Sequence, residues 1–96
     1  MSTTIDTLAT AVQEAARAKV AAYEACQKTG GDGTYWAPAA ERAALDAADL
    51  KLTAAVNDYA KAHADTTTAY WTTFEERDRA GREAARVLTK GVAAWL

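Results

Sequence analysis

The segment TIDTLATAVQEAARAKVAAYEACQK, residues 4–28, indicates an α-helical protein. Residues of high helix propensity, chiefly Ala, Glu, Lys and Arg, fill most of it. Between them, larger or apolar side chains recur at the spacing that places them along one helical face: Ile5, Leu8, Val12, Ala16, Val20 and Tyr23. The pattern predicts a first helix over residues 4–28 that starts at Thr3 or Thr4.

A glycine-rich loop over residues 29–37 separates this helix from a second one. Gly30, Gly31 and Gly33 leave the backbone free to reverse direction. The loop follows a helix rather than a strand and has no Lys-Ser or Lys-Thr pair, so a phosphate cradle is not expected. Pro38 suits the first turn of the next helix, because the N–H that it lacks would have no helical partner there.

The second helix is predicted over residues 38–64. Its buried face follows from a turn of about 100° per residue, which gathers five side chains in one narrow sector: Leu45, Leu52, Val56, Tyr59 and His63. Leu50 falls on the opposite side of the same helix. We therefore expect Leu50 to be exposed, or to contact something outside the domain.

The connection to the third helix is ambiguous. Asp65 is a good N-cap and the three threonines after it are mediocre helix formers, so a break is favoured. The alternatives are a long second helix with a kink, and one unbroken helix from Pro38 to the C-terminus, which would need another chain to cover its apolar stripe. The third helix is predicted over residues 66–95, and later starts are allowed because two pairs have capping-box spacing: Thr72 with Glu75, and Thr73 with Glu76.

One face of the third helix is predicted to be buried. Its members share a sector that also contains Arg77: Tyr70, Phe74, Gly81, Ala84, Leu88, Val92 and Trp95. Glycine within a helix costs about 1 kcal/mol relative to alanine. A close contact with a neighbouring helix at Gly81 would explain its presence.

These patterns predict an all-α fold, a small antiparallel three-helix bundle that forms a single domain over residues 1–96. Hydrophobic residues make up 50% of the chain, but alanine alone accounts for more than a quarter of it. The core is therefore expected to be thin and the helices closely packed. A chain of this size and composition would also gain stability from association.

Charge and cysteine content argue against several classes of protein. The net charge of −2 and the pI near 5.3 provide no general basic field for a polyanion. No apolar run approaches the length of a membrane span, and the first residues do not form an export signal. Cys26, the single cysteine, cannot form an internal disulfide, which suits a reducing compartment. We expect a cytoplasmic protein with no membrane partner.

Catalytic and metal-binding patterns are missing from the sequence. His63 is the only imidazole, and its place on an apolar stripe favours a partly buried, hydrogen-bonded residue. Cys26 lies near the C-terminal end of the first helix, where the helix dipole disfavours a thiolate. The carboxylates are spread around the helices. We therefore predict no enzyme activity, no cofactor and no metal site.

Two sets of residues are candidates for binding a partner. Four cations group on one side of the third helix: Arg79, Arg82, Arg86 and Lys90. The simplest interpretation is a solvated face with intrahelical ion pairs, and the functional ones are contact with an acidic protein surface or with phosphates. The second set consists of aromatic residues off the predicted stripes, Tyr35, Trp36 and Trp71, which either cover an open end of the core or mark a contact surface.

A non-enzymatic helical module for protein–protein interaction is the function that these observations favour, with a larger protein or complex as its partner. Phage and mobile-element inhibitors of host defence complexes, such as anti-CRISPR proteins, share this size and alanine-rich, acidic composition, although no motif supports the analogy. One alternative is a self-associating structural homodimer whose second copy covers the apolar stripes. The other is a nucleic-acid accessory protein that uses the cations of the last helix.

Overall fold

The computed structural model describes residues 4–30, 37–66 and 73–93, which form three α-helices. They are α1 (Ile5–Gly30), α2 (Ala39–Thr66) and α3 (Phe74–Thr89). Each helix packs against both of the others, and the described residues contain no strand. The prediction of a small helical bundle is confirmed.

Side-chain caps set the start of two of the helices. The Oγ1 of Thr4 accepts a hydrogen bond from the backbone N–H of Thr7 at 3.2 Å, at the start predicted for α1. In α3 the backbone N–H of Glu76 donates to Thr73 Oγ1 at 3.2 Å, and the Thr73 N–H donates to Glu76 Oε2 at 3.1 Å. This capping box starts α3 at Phe74, the latest of the starts that the sequence allowed.

The third helix is shorter than the predicted span of residues 66–95 at both ends. Thr66 belongs to α2, as its last residue. At the other end, Thr89 is the last residue of α3, and the N–H of Val92 donates to its carbonyl oxygen at 3.0 Å in a tight turn. Gly91, a poor helix former, lies within that turn. Three of the aromatic residues assigned to helix faces or loops in this part of the sequence lie outside the described residues: Tyr70, Trp71 and Trp95.

Contacts between consecutive helices show that they run antiparallel. At the junction of α1 and α2, the Cys26 thiol donates to the carbonyl oxygen of Glu41 at 3.2 Å. Further from that junction, Lys19 Nζ lies 2.7 Å from Asp49 Oδ1. Between α2 and α3, two positions are in register: Ala60 with Gly81, and Asn57 with Arg82. The chain therefore reverses between α2 and α3, and an unbroken helix from residue 38 to the end is excluded.

The core is small and contains much alanine, as predicted. Its buried members come from all three helices: Val12, Ala15 and Ala16 from α1, Leu52 and Tyr59 from α2, and Ala85 from α3. Partly buried side chains, among them Leu8, Val56 and Leu88, pack around them. Small residues at these positions allow the helix backbones to approach closely.

Gly81 is the point of closest approach between α2 and α3. A Cβ at this position would lie 2.7 Å from both the Cα and the carbonyl oxygen of Ala60. Such distances are far inside van der Waals contact, and the atoms concerned belong to the backbone of the neighbouring helix. The expectation of a close helix contact at Gly81 is thus confirmed, and it explains why alanine is not found there.

Two exposed side chains test the predicted faces: the prediction is correct for one and wrong for the other. Leu50 is 71% exposed, as expected from its position opposite the stripe of α2. Phe74, which was predicted to be buried, is 82% exposed. Because α3 runs antiparallel to α2 from the contact of Gly81 with Ala60, Phe74 at the start of α3 lies near the level at which α2 ends at Thr66. It therefore falls at the margin of the surface that α2 covers.

The buried face of α3 also differs from the predicted stripe. Its buried residues are spaced by four along the helix: Gly81, Ala85 and Thr89. Ala84 and Leu88, which belong to the predicted stripe, are only partly buried. The packed face is thus rotated from the prediction toward Ala85 and Thr89, in line with the close contact that Gly81 makes with α2. None of the described helices is both long and apolar enough to cross a membrane.

Candidate functional site

The four cations predicted to bind a partner lie together on the surface of α3. Their side chains are all exposed, and we call them the basic ridge: Arg79, Arg82, Arg86 and Lys90. They follow one another along a helix whose start is fixed by the capping box at Thr73. The aromatic candidates Tyr35, Trp36 and Trp71 lie outside the described residues, so their place relative to the ridge stays a prediction.

Two members of the basic ridge are engaged within the protein. Arg82 Nε donates to Asp78 Oδ2 at 3.0 Å, and its Nη2 donates to Asn57 Oδ1 on α2 at the same distance. Arg86 Nη1 lies 3.6 Å from Glu83 Oε1. Exposed ion pairs of this kind contribute about 0.2–1 kcal/mol and exchange readily with solvent. They orient the two arginines without removing them from the surface.

The other two members are uncompensated. Within the described residues, the side chains of Arg79 and Lys90 form no ion pair and no hydrogen bond. Glu75 is spaced to pair with Arg79 but does not, and Glu76 is used in the capping box. The interpretation of the ridge as a salt-bridged face therefore holds for Arg82 and Arg86 only.

Large apolar side chains stand on either side of the basic ridge. On α3, Phe74 is 82% exposed and Val87 is 63% exposed. At about 100° per residue, these two positions fall on opposite flanks of the sector that the four cations occupy. Exposed aromatic and aliphatic side chains beside arginines are typical of surfaces that bind proteins.

A groove of about 450 Å³ lies between the last turns of α2 and the first turns of α3. We call it the outer groove. It is lined by residues of both helices: Asn57, Ala60, Lys61 and Ala64 from α2, and Phe74, Arg77, Asp78 and Arg82 from α3. Arg82 belongs to both the outer groove and the basic ridge, so the two features form one continuous surface.

A second groove, also of about 450 Å³, lies between α1 and α3. Its walls come from the middle and end of α1 and from the end of α3: Gln13, Arg17, Val20, Ala21, Glu24, Leu88, Gly91 and Val92. Arg17 and Glu24 place opposite charges in this groove, so its lining favours neither sign. It is also separate from the basic ridge, and it offers weaker grounds for a binding site than the outer groove.

The residues weighed for chemistry occupy structural positions. Cys26 is fully buried, and its thiol donates to a backbone carbonyl. His63 is half-buried, and the centroid of its ring lies 6.2 Å from that of Tyr59 in a tilted arrangement. Among the described residues, no three histidine, cysteine, aspartate or glutamate side chains come together in a group that could hold a metal ion.

Some residues of this surface were not singled out by the sequence pattern. Phe74 and Arg77 were assigned to the buried stripe, and Lys61 had no distinguishing signal.

Comparison with other proteins adds no candidate: no protein-family model matches the chain, and neither a curated protein nor a solved structure matches it significantly. A functional proposal therefore rests on the chemistry of the chain's own surface.

Proposed function

We propose that this protein is a non-enzymatic interaction module that binds an acidic surface of a larger protein through α3. The observation that carries the proposal is the basic ridge, where Arg79 and Lys90 are exposed and uncompensated. The chain as a whole has a net charge of −2, so this concentration of positive charge is local. A local positive surface selects and orients an acidic partner.

The apolar neighbours of the ridge support a protein as the partner. Phe74 and Val87 offer apolar area that is removed from water on binding, which provides affinity that charge alone does not. Arginines beside exposed aromatic side chains are common among the residues that contribute most to protein interfaces. A duplex backbone would use the cations and leave both of these side chains in water.

We further propose that the partner belongs to a multiprotein complex which the protein inhibits. A small phage or mobile-element inhibitor of a host defence complex, similar in role to anti-CRISPR proteins, fits a small helical bundle with an alanine-containing core. Two observations support this version: the analogy of size and composition, and the position of the whole basic ridge on one side of α3. Inhibition of the captured complex by the purified protein would be its direct test.

Affinity capture with charge-reversal variants tests the proposal. The wild-type protein is compared with R79E/K90E, using lysate of the organism that encodes it and mass spectrometry of intact complexes. The control is R42E/K51E, which changes the net charge equally at exposed sites on α2. We expect a stoichiometric protein partner that is retained by the control and lost by R79E/K90E.

Other results of the same experiment would contradict the proposal. Recovery of the chain alone as a discrete dimer, checked by sedimentation, would favour the self-associating structural bundle. Retention of DNA or RNA that falls steeply with added salt would favour a nucleic-acid accessory protein. A partner lost equally by both variants would place the interaction away from the basic ridge.

A further inference from the structure

We infer that the outer groove is the anchoring pocket of this interaction, and that it takes an acidic peptide segment of the partner that carries one large apolar side chain. The inference rests on the proposed function and narrows it from a surface to a pocket. Three residues of the groove carry the inference, and none of them belongs to the basic ridge: Phe74, Arg77 and Lys61.

The shape of the groove suits a single apolar anchor. Ala60 and Ala64 contribute only methyl groups, which leaves space between the helices, and Phe74 adds an aromatic wall that is 82% exposed. The contact of Gly81 with the backbone of Ala60 brings the two helices close together where Ala60 lines the groove. Its volume of about 450 Å³ is within the usual range for ligand pockets, about 300–1,000 Å³.

The charges of the groove specify an acidic occupant. Its lining has three cations, Lys61, Arg77 and Arg82, and one anion, Asp78. Asp78 is already paired with Arg82 at 3.0 Å. Within the described residues, Lys61 and Arg77 form no ion pair, so the groove holds two uncompensated positive charges beside its apolar wall.

Arg77 adds a second reason for a carboxylate. Its Nε is buried and has no hydrogen-bond partner among the described residues. An unsatisfied buried donor is unfavourable, whereas a carboxylate accepts two parallel N–H bonds from a guanidinium. Arg77 lines the groove, so we expect its guanidinium to turn toward a carboxylate of a segment bound there and to gain the partner that Nε lacks.

Chemical-shift mapping with short synthetic peptides tests the pocket without knowledge of the natural partner. The uniformly ¹⁵N-labelled protein is titrated with the blocked tripeptide Glu-Phe-Glu. Two further peptides separate the contribution of the negative charge from that of the apolar side chain. Lys-Phe-Lys reverses the charge, and Glu-Ala-Glu removes the apolar anchor. We expect saturable shifts of amides around the outer groove with Glu-Phe-Glu, and about tenfold weaker binding of the other two peptides.

Matched variants then assign the contacts. Phe74→Ser and Arg77→Met are each expected to weaken binding of Glu-Phe-Glu about tenfold. Leu50→Ser is the control, because Leu50 is also a large exposed apolar side chain but does not line the groove. The amide spectrum of each variant, if unchanged outside the substituted site, shows that a loss of binding is not a loss of fold.

Three results would overturn the pocket. They are shifts that do not saturate, shifts confined to the basic ridge, and binding that Phe74→Ser and Leu50→Ser change equally. These outcomes are distinct from failure of the proposed function, which is read from capture in lysate. A natural partner that is lost by R79E/K90E but retained by Phe74→Ser would leave the interaction module standing and remove the pocket.

Discussion

The α1–α2 pair and the α2–α3 pair are held together by different means. Larger apolar side chains concentrate on the first two helices, where Val12, Leu52 and Tyr59 are buried. In the second pair the helices meet at Gly81, and the backbone of Ala60 occupies the space that a side chain at position 81 would need. The first pair therefore depends on buried apolar area, and the second depends on close approach. The outer groove belongs to this second pair, and Phe74 in its lining stays exposed because α2 ends at Thr66.

Leu52→Ala is expected to have the largest effect on stability, since it removes apolar volume from the thin core. Replacement of a buried leucine by alanine destabilises by about 2–5 kcal/mol, through lost apolar burial and the cavity that remains. Urea denaturation followed by circular dichroism measures the loss. Leu50→Ala on the same helix is the control and should change the free energy of unfolding by less than about 0.5 kcal/mol. Equal effects would mean that Leu52 is not a core residue.

Gly81→Ala is expected to destabilise the protein next most strongly, although alanine is the better helix former. The added Cβ would lie 2.7 Å from backbone atoms of Ala60, so α2 and α3 must move apart. Overpacking costs about 1–3 kcal/mol and occasionally more, and a clash with backbone atoms belongs at the upper end of that range. After subtraction of the helix-propensity gain of about 1 kcal/mol, the net destabilisation is about 2 kcal/mol. Thermal unfolding provides the measurement.

Gly91→Ala is the matched control for Gly81, because a Cβ at Gly91 meets nothing within 4 Å. Its thermal midpoint should stay near that of the wild type. A rise in the midpoint for Gly81→Ala would contradict the close contact and would show that the α2–α3 pair tolerates a wider separation.

Thr73→Ala is expected to have a smaller effect, because it removes the capping box at the start of α3. Loss of an N-cap hydroxyl costs about 0.5–2 kcal/mol. Thr53→Ala, within α2, is the control: its hydroxyl bonds only to the carbonyl of Asp49 in the preceding turn, and alanine is the better helix former. Chemical denaturation should therefore rank Thr53→Ala at or above the wild type and Thr73→Ala below it.

Phe74→Ser should alter stability least, by less than about 0.5 kcal/mol, because its side chain is 82% exposed. Binding of Glu-Phe-Glu to the outer groove should nevertheless weaken about tenfold. This separation of stability from binding would distinguish the α2–α3 pair from the α1–α2 pair most directly. A destabilisation comparable to that of Leu52→Ala would instead place Phe74 in the core.

Helical periodicity was sufficient to identify the burial of α1 and α2. Val12, Ala16, Leu52 and Tyr59 all follow from spacing alone, since each is flanked on its helix by other members of the same face. The exposure of the basic ridge could also be predicted, because four cations on one side of a helix do not enter an apolar core unpaired. Periodicity failed for Phe74, which shares the apolar sector but lies where α2 ends.

The local pattern of the chain was thus enough for its helices, its thin alanine-containing core and the position of its positive charges. These properties depend on side chains within one or two turns of each other, which interact in the same way wherever the helix lies. Only the tertiary structure decided three other properties: the packed face of α3, the exposure of Phe74 and the outer groove. They depend on the register of α3 against α2, which is set by the contact of Gly81 with Ala60 between residues distant in sequence.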